Sequence, residues 1–216
     1  KEWTIEMWLY MTADYSKYRA RFAKRVTSAG ITTSYEGYIN ITNGYLAFYN
    51  GTGYISTTPV PRFQWNHCAW SHDGSSTLKQ FLNGTEVLSS TVTITEQDYP
   101  VYIGGLLGTN NEDFGGYITN FRILNGQQLY TSNFTPPTAP FLDSGSNYDN
   151  TVLLTRFDNA GIIDHTMKNN LETEGNVRIS GQQTKFGTGS IYFDGSDYLS
   201  VPDSDDLDMG TGDFTF

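Results

Sequence analysis

Two Asn-Gly pairs, Asn43-Gly44 and Asn83-Gly84, each lie between short runs rich in β-branched and aromatic residues. Both residue types tolerate the positive φ that a two-residue type I′ hairpin demands and most side chains resist. The first pair joins Ile39-Asn40-Ile41-Thr42 to Tyr45-Leu46-Ala47-Phe48-Tyr49, and the second joins residues 78–82 to 85–88. A chain punctuated in this way is committed to antiparallel sheet.

The rest of the pattern agrees. Trp3, Ile5, Met7 and Leu9 alternate with Thr4, Glu6, Trp8 and Tyr10, the period of two of a strand with one face turned inward. Further strands are predicted over residues 65–71, 99–104, 116–124, 152–157, 190–193 and 198–201, with turn residues between them. No window carries an apolar stripe at helical period, and residues 126–130 suit one short turn. The expected fold class is all-β, a two-sheet antiparallel jelly-roll sandwich. With 216 residues the chain suits one large sandwich or two small domains. Cys68 is the only cysteine, so no intrachain disulfide can form and packing must hold the fold.

The formal charge of −10 repels nucleic acid and anionic membrane surfaces, and no run is long and apolar enough for a membrane helix. Nucleic acid and membrane insertion are therefore excluded as expected partners. Most acids stand singly in turns such as Asp73-Gly74 and Asp194-Gly195-Ser196-Asp197, where turn chemistry accounts for them. The exception is Asp203, Asp205, Asp206 and Asp208. A basic counterpart, Lys17, Arg19, Arg21, Lys24 and Arg25, is expected to be a solvated face or a docking patch for acidic surface on another copy.

Residues 133–150 contain Pro136, Pro137 and Pro140, then Asp143-Ser144-Gly145-Ser146-Asn147, and read as a long connection. The expected organisation is a main body over 1–142, a linker over 143–150, and further strands over 151–216. Gly212-Asp213-Phe214-Thr215-Phe216 echoes Glu2-Trp3-Thr4-Ile5, as if the chain were cut from a tandem array. Residues 151–216 would then complete this sandwich, the next one, or a neighbouring copy.

Phe186-Gly187-Thr188-Gly189-Ser190-Ile191-Tyr192-Phe193-Asp194-Gly195, with Asp197-Tyr198-Leu199, resembles the opening of laminin G-like domains of the concanavalin A-like superfamily. Trp65-Asn66-His67-Cys68-Ala69-Trp70 and Tyr102-Ile103-Gly104-Gly105 look like their middle strands, and Phe114-Gly115-Gly116-Tyr117-Ile118 is similar to a strand near their end. The opening strands stand last, a permuted order. The tail Leu129-Tyr130-Thr131-Ser132-Asn133-Phe134-Thr135-Pro136-Pro137-Thr138 resembles repeats in structural proteins of marine and cyanobacterial bacteriophages. The resemblance implies a virion-surface or extracellular module that adheres to host-surface glycan or protein, alongside copies of itself or other structural subunits. A spacer or self-assembling subunit is the alternative role.

Some relatives of such a fold are glucanases, which need paired carboxylates. Glu2 and Glu6 face one side of the first strand, and Glu112-Asp113 lies in a loop. Glu172-Thr173-Glu174 faces one way in a polar stretch. None forms the expected pair, the three histidines have no metal-ligand spacing, and no Gly-x-Ser-x-Gly elbow occurs, so no catalytic residue is assigned. Cys68 and His67 should point to opposite faces of one strand, the cysteine buried. The resemblance also implies a calcium ion at the sandwich rim, for which Asp73 and Asp113, the latter beside Asn110 and Asn111, supply hard oxygen ligands. Asx turns are the alternative use of these carboxylates. Tyr35, Tyr38, Tyr45 and Tyr49, with Asn43, are the candidate glycan-binding residues, because tyrosine rings stack on sugar faces while amides bond hydroxyls.

Overall fold

In the computed structural model, residues 1–12, 19–25, 33–40, 42–105, 113–142, 147, 149–157 and 161–208 are described. In chain order the strands are β1 (Glu2–Met11), β2 (Arg19–Arg25), β3 (Thr33–Ile39), β4 (Tyr45–Tyr49), β5 (Gly53–Pro59), β6 (Trp65–Asp73), β7 (Thr77–Leu82) and β8 (Thr85–Thr91). They continue with β9 (Val101–Ile103), β10 (Gly115–Asn125), β11 (Thr151–Thr155), β12 (Glu172–Glu174), β13 (Arg178–Ser180), β14 (Ser190–Asp194) and β15 (Tyr198–Val201). Among the described residues the one helical piece is a 3₁₀ turn, Asp205–Leu207.

These strands form two antiparallel sheets packed face to face, the sandwich expected from the alternation. One has eight strands in the order β13-β14-β10-β1-β6-β7-β8, with β11 also on β10, and the other has seven in the order β12-β15-β9-β2-β3-β4-β5. Residues beyond 150 contribute to both: β14 pairs with the first half of β10, β11 with its second half, and β15 with β9. The echo of β1 over residues 212–216 lies outside the described residues.

The hairpins differ in detail. Asn83 (φ 50°) and Gly84 (φ 80°) both take the left-handed region, as a type I′ turn requires. In the other hairpin Gly44 alone among the described residues does (φ 73°), because the loop is wider than two residues. Asn40 N–H donates to Tyr45 O and Gly44 N–H to Asn40 O, while Asn40 and Asn43 side chains accept from Thr42 and Tyr45 N–H. Asx-type bonding thus does the work that positive φ at Asn43 was expected to do.

The core lies between the sheets. Trp3, Ile5, Met7, Leu9 and Met11 point into it from β1, with Cys68 and Trp70 from β6, Phe22 and Tyr35 from β2 and β3, and Phe193 from β14. Gly37 leaves room for Phe22, since a Cβ there would stand 2.2 Å from the ring. Cys68 is inside this cluster and His67 faces the other way, as alternation demands.

The outer face of the eight-stranded sheet is also covered near its middle, so Thr4, Glu6 and Trp8 are buried as completely as their inward neighbours. The cover is the proline-rich stretch after β10, read in the sequence as a long connection. Phe134 N–H donates to Gly84 O, Phe141 N–H donates to Asn120 Oδ1, and Tyr130 and Phe134 stack at 3.6 Å. Asn120 (φ 51°) sits where the register between β1 and β10 shifts, a bulge that turns its side chain to the strap.

Under the strap lies a carboxylate with no access to water. Glu6 accepts from Arg122 Nε at 3.0 Å and Nη2, from His67 Nε2 at 3.0 Å, and from Tyr130 OH at 2.7 Å. An ionised carboxylate only accepts, so Nε2 is the protonated nitrogen of His67. Burial opposes ionisation of Glu6, but Arg122 and His67 together outweigh it and bring its pKa from 4.5 to about 2. A depressed folded-state pKa means stability that is present above about pH 4.5 and lost as pH falls toward 2. The shift corresponds to about 3 kcal/mol. Glu6→Gln should cost about 3–5 kcal/mol at pH 7, because it leaves Arg122 buried without its counter-charge. It should also flatten the acid limb of the stability profile in denaturant unfolding between pH 2 and 5, and an unchanged acid limb would contradict this account.

Candidate functional site

Alternation along the seven-stranded sheet sends one set of side chains to the core and the other to the outer face. In strand register, Glu172, Ser200, Tyr102, Ala23, Glu36, Tyr49 and Gly53 form a row that crosses all seven strands on that outer face. The middle of the row, Tyr102, Ala23 and Glu36, is buried, and its two ends reach solvent. Tyr38 and Ala47 lie beside it in the next register position.

At the β12 end the row opens into a groove of about 350 Å³ lined by Pro100, Tyr102, Glu172, Glu174, Tyr198 and Ser200, with Thr173 and Pro202 at its margin. That volume is in the range of a small-molecule or sugar subsite. The Tyr102 and Tyr198 rings meet edge to face, with centroids 5.4 Å apart. Tyr102 is buried against Ala23, Tyr198 is half-buried, and Glu172 and Glu174 stand in solvent on the edge strand. Burial raises the pKa of both phenols, and Glu174 adds to the effect on Tyr198, so both keep their protons and can donate.

The sequence candidates divide between the two faces. Tyr35 is no sugar platform: it points into the core, packs on Trp3 and Phe22, and donates its hydroxyl to Leu207 O at 3.2 Å. The period of two explains this, because Tyr35 and Tyr38 stand an odd number of residues apart. Tyr38 and Tyr49 face outward, as does Tyr45, although Tyr38 is 6% exposed. The Asn43 side chain is engaged in its own turn. Tyr102 and Tyr198 were missed as site residues because they lie 96 positions apart and meet only through the pairing of β15 with β9. The signal available was the alternation around each: Val101 and Ile103 are core residues, as are Leu199 and Val201.

Asp73 and Asp113 are not brought together. Asp73 pairs with Glu2 at one end of β1, while Asp113 precedes the part of β10 that pairs with Met11 at the other end. Ten residues of strand separate them by about 30 Å, so they cannot share an ion. Asp73 Oδ1 accepts from Ser75, Ser76 and Thr77 N–H and from Ser75 Oγ, which holds its carboxyl well below the usual range. That is a turn cap, the alternative use foreseen for it.

Asp113 is different. A Cβ on Gly105 would lie 2.5 Å from Asp113 Oδ1 and 2.9 Å from Asp197 O, so both oxygens converge on that glycine. Asp197 is fully buried, its Oδ1 accepts from Asp194 N–H, and its Oδ2 has no hydrogen-bond partner. Burial, Asp194 and Asp113 raise the Asp197 pKa to about 6. An orphaned carboxylate oxygen beside a second carboxylate and a carbonyl fits a hard cation. Among the described residues no three His, Cys, Asp or Glu side chains converge, and Asn110 and Asn111 lie outside those residues.

Lys24 is a further surprise in the segment expected to be a solvated basic face. Its ammonium is buried at the end of the core against Asp208, Asp203 at 3.3 Å and Glu96 at 3.6 Å. Two acids of the cluster, Asp203 and Asp208, are thus partnered from within this chain. The other basic side chains of that segment lie outside the described residues.

A two-sheet antiparallel sandwich with a groove on one outer face is a concanavalin A-like architecture. The model of the Laminin_G_3 family, in the concanavalin A-like lectin/glucanases superfamily, matches residues 1–129, and the chain belongs to that family. Among solved structures it is similar to a putative carbohydrate binding protein from Bacteroides ovatus ATCC 8483 (15% identity, TM-score 0.55), over 94% of this chain and 54% of that one. It is also similar to domain 4 of an extracellular arabinanase from Geobacillus stearothermophilus in complex with arabinotriose (18%, TM-score 0.43, 56% of this chain and 59% of that one). A third is a heptameric SAP-like pentraxin from Limulus polyphemus (13%, TM-score 0.42, 56% and 63%). The chain therefore spans between 54% and 63% of these structures. No curated protein matches.

Proposed function

We propose that this chain is a non-catalytic carbohydrate-binding module whose sugar subsite is the Tyr102–Tyr198 groove. The observation that carries the reading is the groove's chemistry: two protonated phenols and a serine hydroxyl face two carboxylates across a cleft of sugar size. Aromatic faces stack on a pyranose while carboxylates accept from its hydroxyls. The described carbohydrate-binding protein from Bacteroides ovatus supports the reading at the level of fold. Catalysis is disfavoured because Glu172 and Glu174 stand in solvent on one edge strand, and a glycosidase needs its two carboxyls to flank the scissile bond, one of them shielded enough to hold a proton. A virion-surface or extracellular setting, with host-surface glycan or protein as partner, rests on the resemblance of residues 129–138 to phage repeats. Many copies would let weak single sites suffice.

The groove is tested on an array of neutral oligosaccharides, followed by titration calorimetry with the best binder. Tyr198→Ala should weaken binding about tenfold and Glu174→Gln less, since losing one stacked ring costs about 1–1.5 kcal/mol. Absence of any array signal, or retention of full affinity in Tyr198→Ala, would remove the groove from consideration.

Calcium is part of the same proposal, with Asp113, the Asp197 carboxylate and the Asp197 carbonyl as its ligands; bound there, the ion would neutralise two crowded carboxylates. Millimolar calcium should raise the melting temperature of the wild type by a few degrees, reversibly with chelator, through preferential binding to the folded state. Asp113→Asn and Asp197→Asn should abolish that rise and Asp73→Asn should not. A wild-type melting temperature indifferent to calcium would refute the site.

A further inference from the structure

The outer face of the eight-stranded sheet is covered only in part. Beyond Trp8 the strap ends, and the next register position carries a row of large side chains across five adjacent strands. Trp65 of β6 pairs with Tyr10 of β1, Tyr10 with Tyr117 of β10, Tyr117 with Tyr192 of β14, and Tyr192 with Arg178 of β13. The ring centroids step by 5.8, 6.0 and 5.2 Å, and the Arg178 guanidinium lies 4.4 Å over the Tyr192 ring. With strands about 4.8 Å apart, the row is about 19 Å long. Cross-strand aromatic pairing stabilises the sheet, yet that gain is available to rings buried under a cover, and of these rings only the central one, Tyr117, is buried. Trp65, Tyr10 and Tyr192 are half-buried and Arg178 is exposed.

Charge identifies what would cover them. The row itself holds no carboxylate, and two cations border it in a chain of net charge −10. Lys185 Nζ stands 3.8 Å over the ring of Trp8, the residue that precedes Tyr10 on the same face, and has no carboxylate partner among the described residues. Burial lowers its pKa, the signature of an ammonium that lacks a counter-charge. At the far end Arg178 bonds Asn176 O and feels Asp194, whose carboxylate is taken up mainly by Ser196 and Asn176. The Tyr117 hydroxyl donates to Gln182 at 3.2 Å, which adds an amide to the margin.

We infer that this aromatic row is a second glycan site, separate from the groove and on the opposite sheet, that takes an extended carboxylated polysaccharide. The half-buried rings of Trp65, Tyr10 and Tyr192 would stack on sugar faces, with buried Tyr117 as the floor between them, while Lys185 and Arg178 meet the uronate carboxylates. Trp, Tyr and Arg also anchor protein interfaces, but the linear run of rings, with an ammonium beside it that has no carboxylate partner among the described residues and a guanidinium at its far end, favours a repeating acidic chain.

The experiment is affinity gel electrophoresis of the whole chain with polygalacturonate in the gel. Wild type should be retarded; Lys185→Gln and Tyr192→Ala should each weaken retardation at least about fivefold, in line with loss of a charge pair or a stacked ring. Tyr192→Phe should stay within about twofold, because the ring and not the hydroxyl makes the contact. The groove variant Tyr198→Ala should be retarded as wild type, which separates failure of this site from failure of the groove. Thermal melts establish that each variant is folded, and Lys185→Gln, a half-exposed change, keeps the test open if Tyr192→Ala does not fold. No retardation by polygalacturonate, or retardation unaffected by Lys185→Gln, overturns the inference. So does equal retardation by dextran sulfate or single-stranded DNA, which would mean generic attraction of a polyanion.

Discussion

The Glu6 carboxylate is the point on which the eight-stranded sheet is organised. It sits on the central strand, receives Arg122 from one neighbouring strand and His67 from the other, and is closed from above by Tyr130 of the strap. A buried charge of this kind contributes little net stability compared with a well-packed apolar group, but it tolerates almost no other arrangement of its partners. Three strands and the crossing segment must therefore take one register together. The opposite face of the same strand is wholly apolar, with Trp3, Ile5, Met7 and Leu9 in the core. Register and core packing are thus specified by the same ten residues, one face through geometry and the other through area removed from water.

How much of this could be read in the sequence follows from what alternation encodes. The sandwich, the long strands and the inward residues of β1 were legible, because period two survives where the two faces of a strand differ in polarity. Residues 19–25 were not, since a strand carrying Phe22 and Lys24 toward the core between basic neighbours has no apolar alternation to detect. The inward lysine makes sense only once Asp203 and Asp208, some 180 positions away, are placed beside it. The role of the proline-rich connection was hidden for the opposite reason: proline excludes ladder pairing, but nothing prevents such a segment from lying across a sheet and packing Phe134 and Phe141 on it. Local composition reports what a segment cannot do to its own backbone, not what lies under it.

The same limit governed the candidate sites. Neighbouring tyrosines drew attention because they are dense in sequence, and parity alone then divided Tyr35 from Tyr38. The groove unites Tyr102 with Tyr198, and the outer row unites Trp65, Tyr10, Tyr117 and Tyr192, each drawn from a different strand. Sites that run across strands are invisible to any reading that runs along them. For the carboxylates the distinction was finer. Asp73 and Asp113 are alike as loop acids, and only the fold shows that Asp73 caps its own turn while Asp113 Oδ1 and the carbonyl of Asp197 converge on Gly105.

A sandwich has two outer faces, and what each can bind is set by what the chain has already placed there. On the seven-stranded sheet the edge strand β12 brings Glu172 and Glu174 to the groove, so an anionic sugar would meet like charge there. On the eight-stranded sheet the strap covers the middle with its own aromatic rings and stops short of the Tyr10 row, which Lys185 borders without a carboxylate partner among the described residues and Arg178 ends beside Asp194. Because the net charge is strongly negative, a cation left without a carboxylate on that surface is the departure from the background that demands a reason. Among the described residues the groove and the Tyr10 row are thus bordered by unlike charges, which under the two proposals would direct ligands of different charge to different faces.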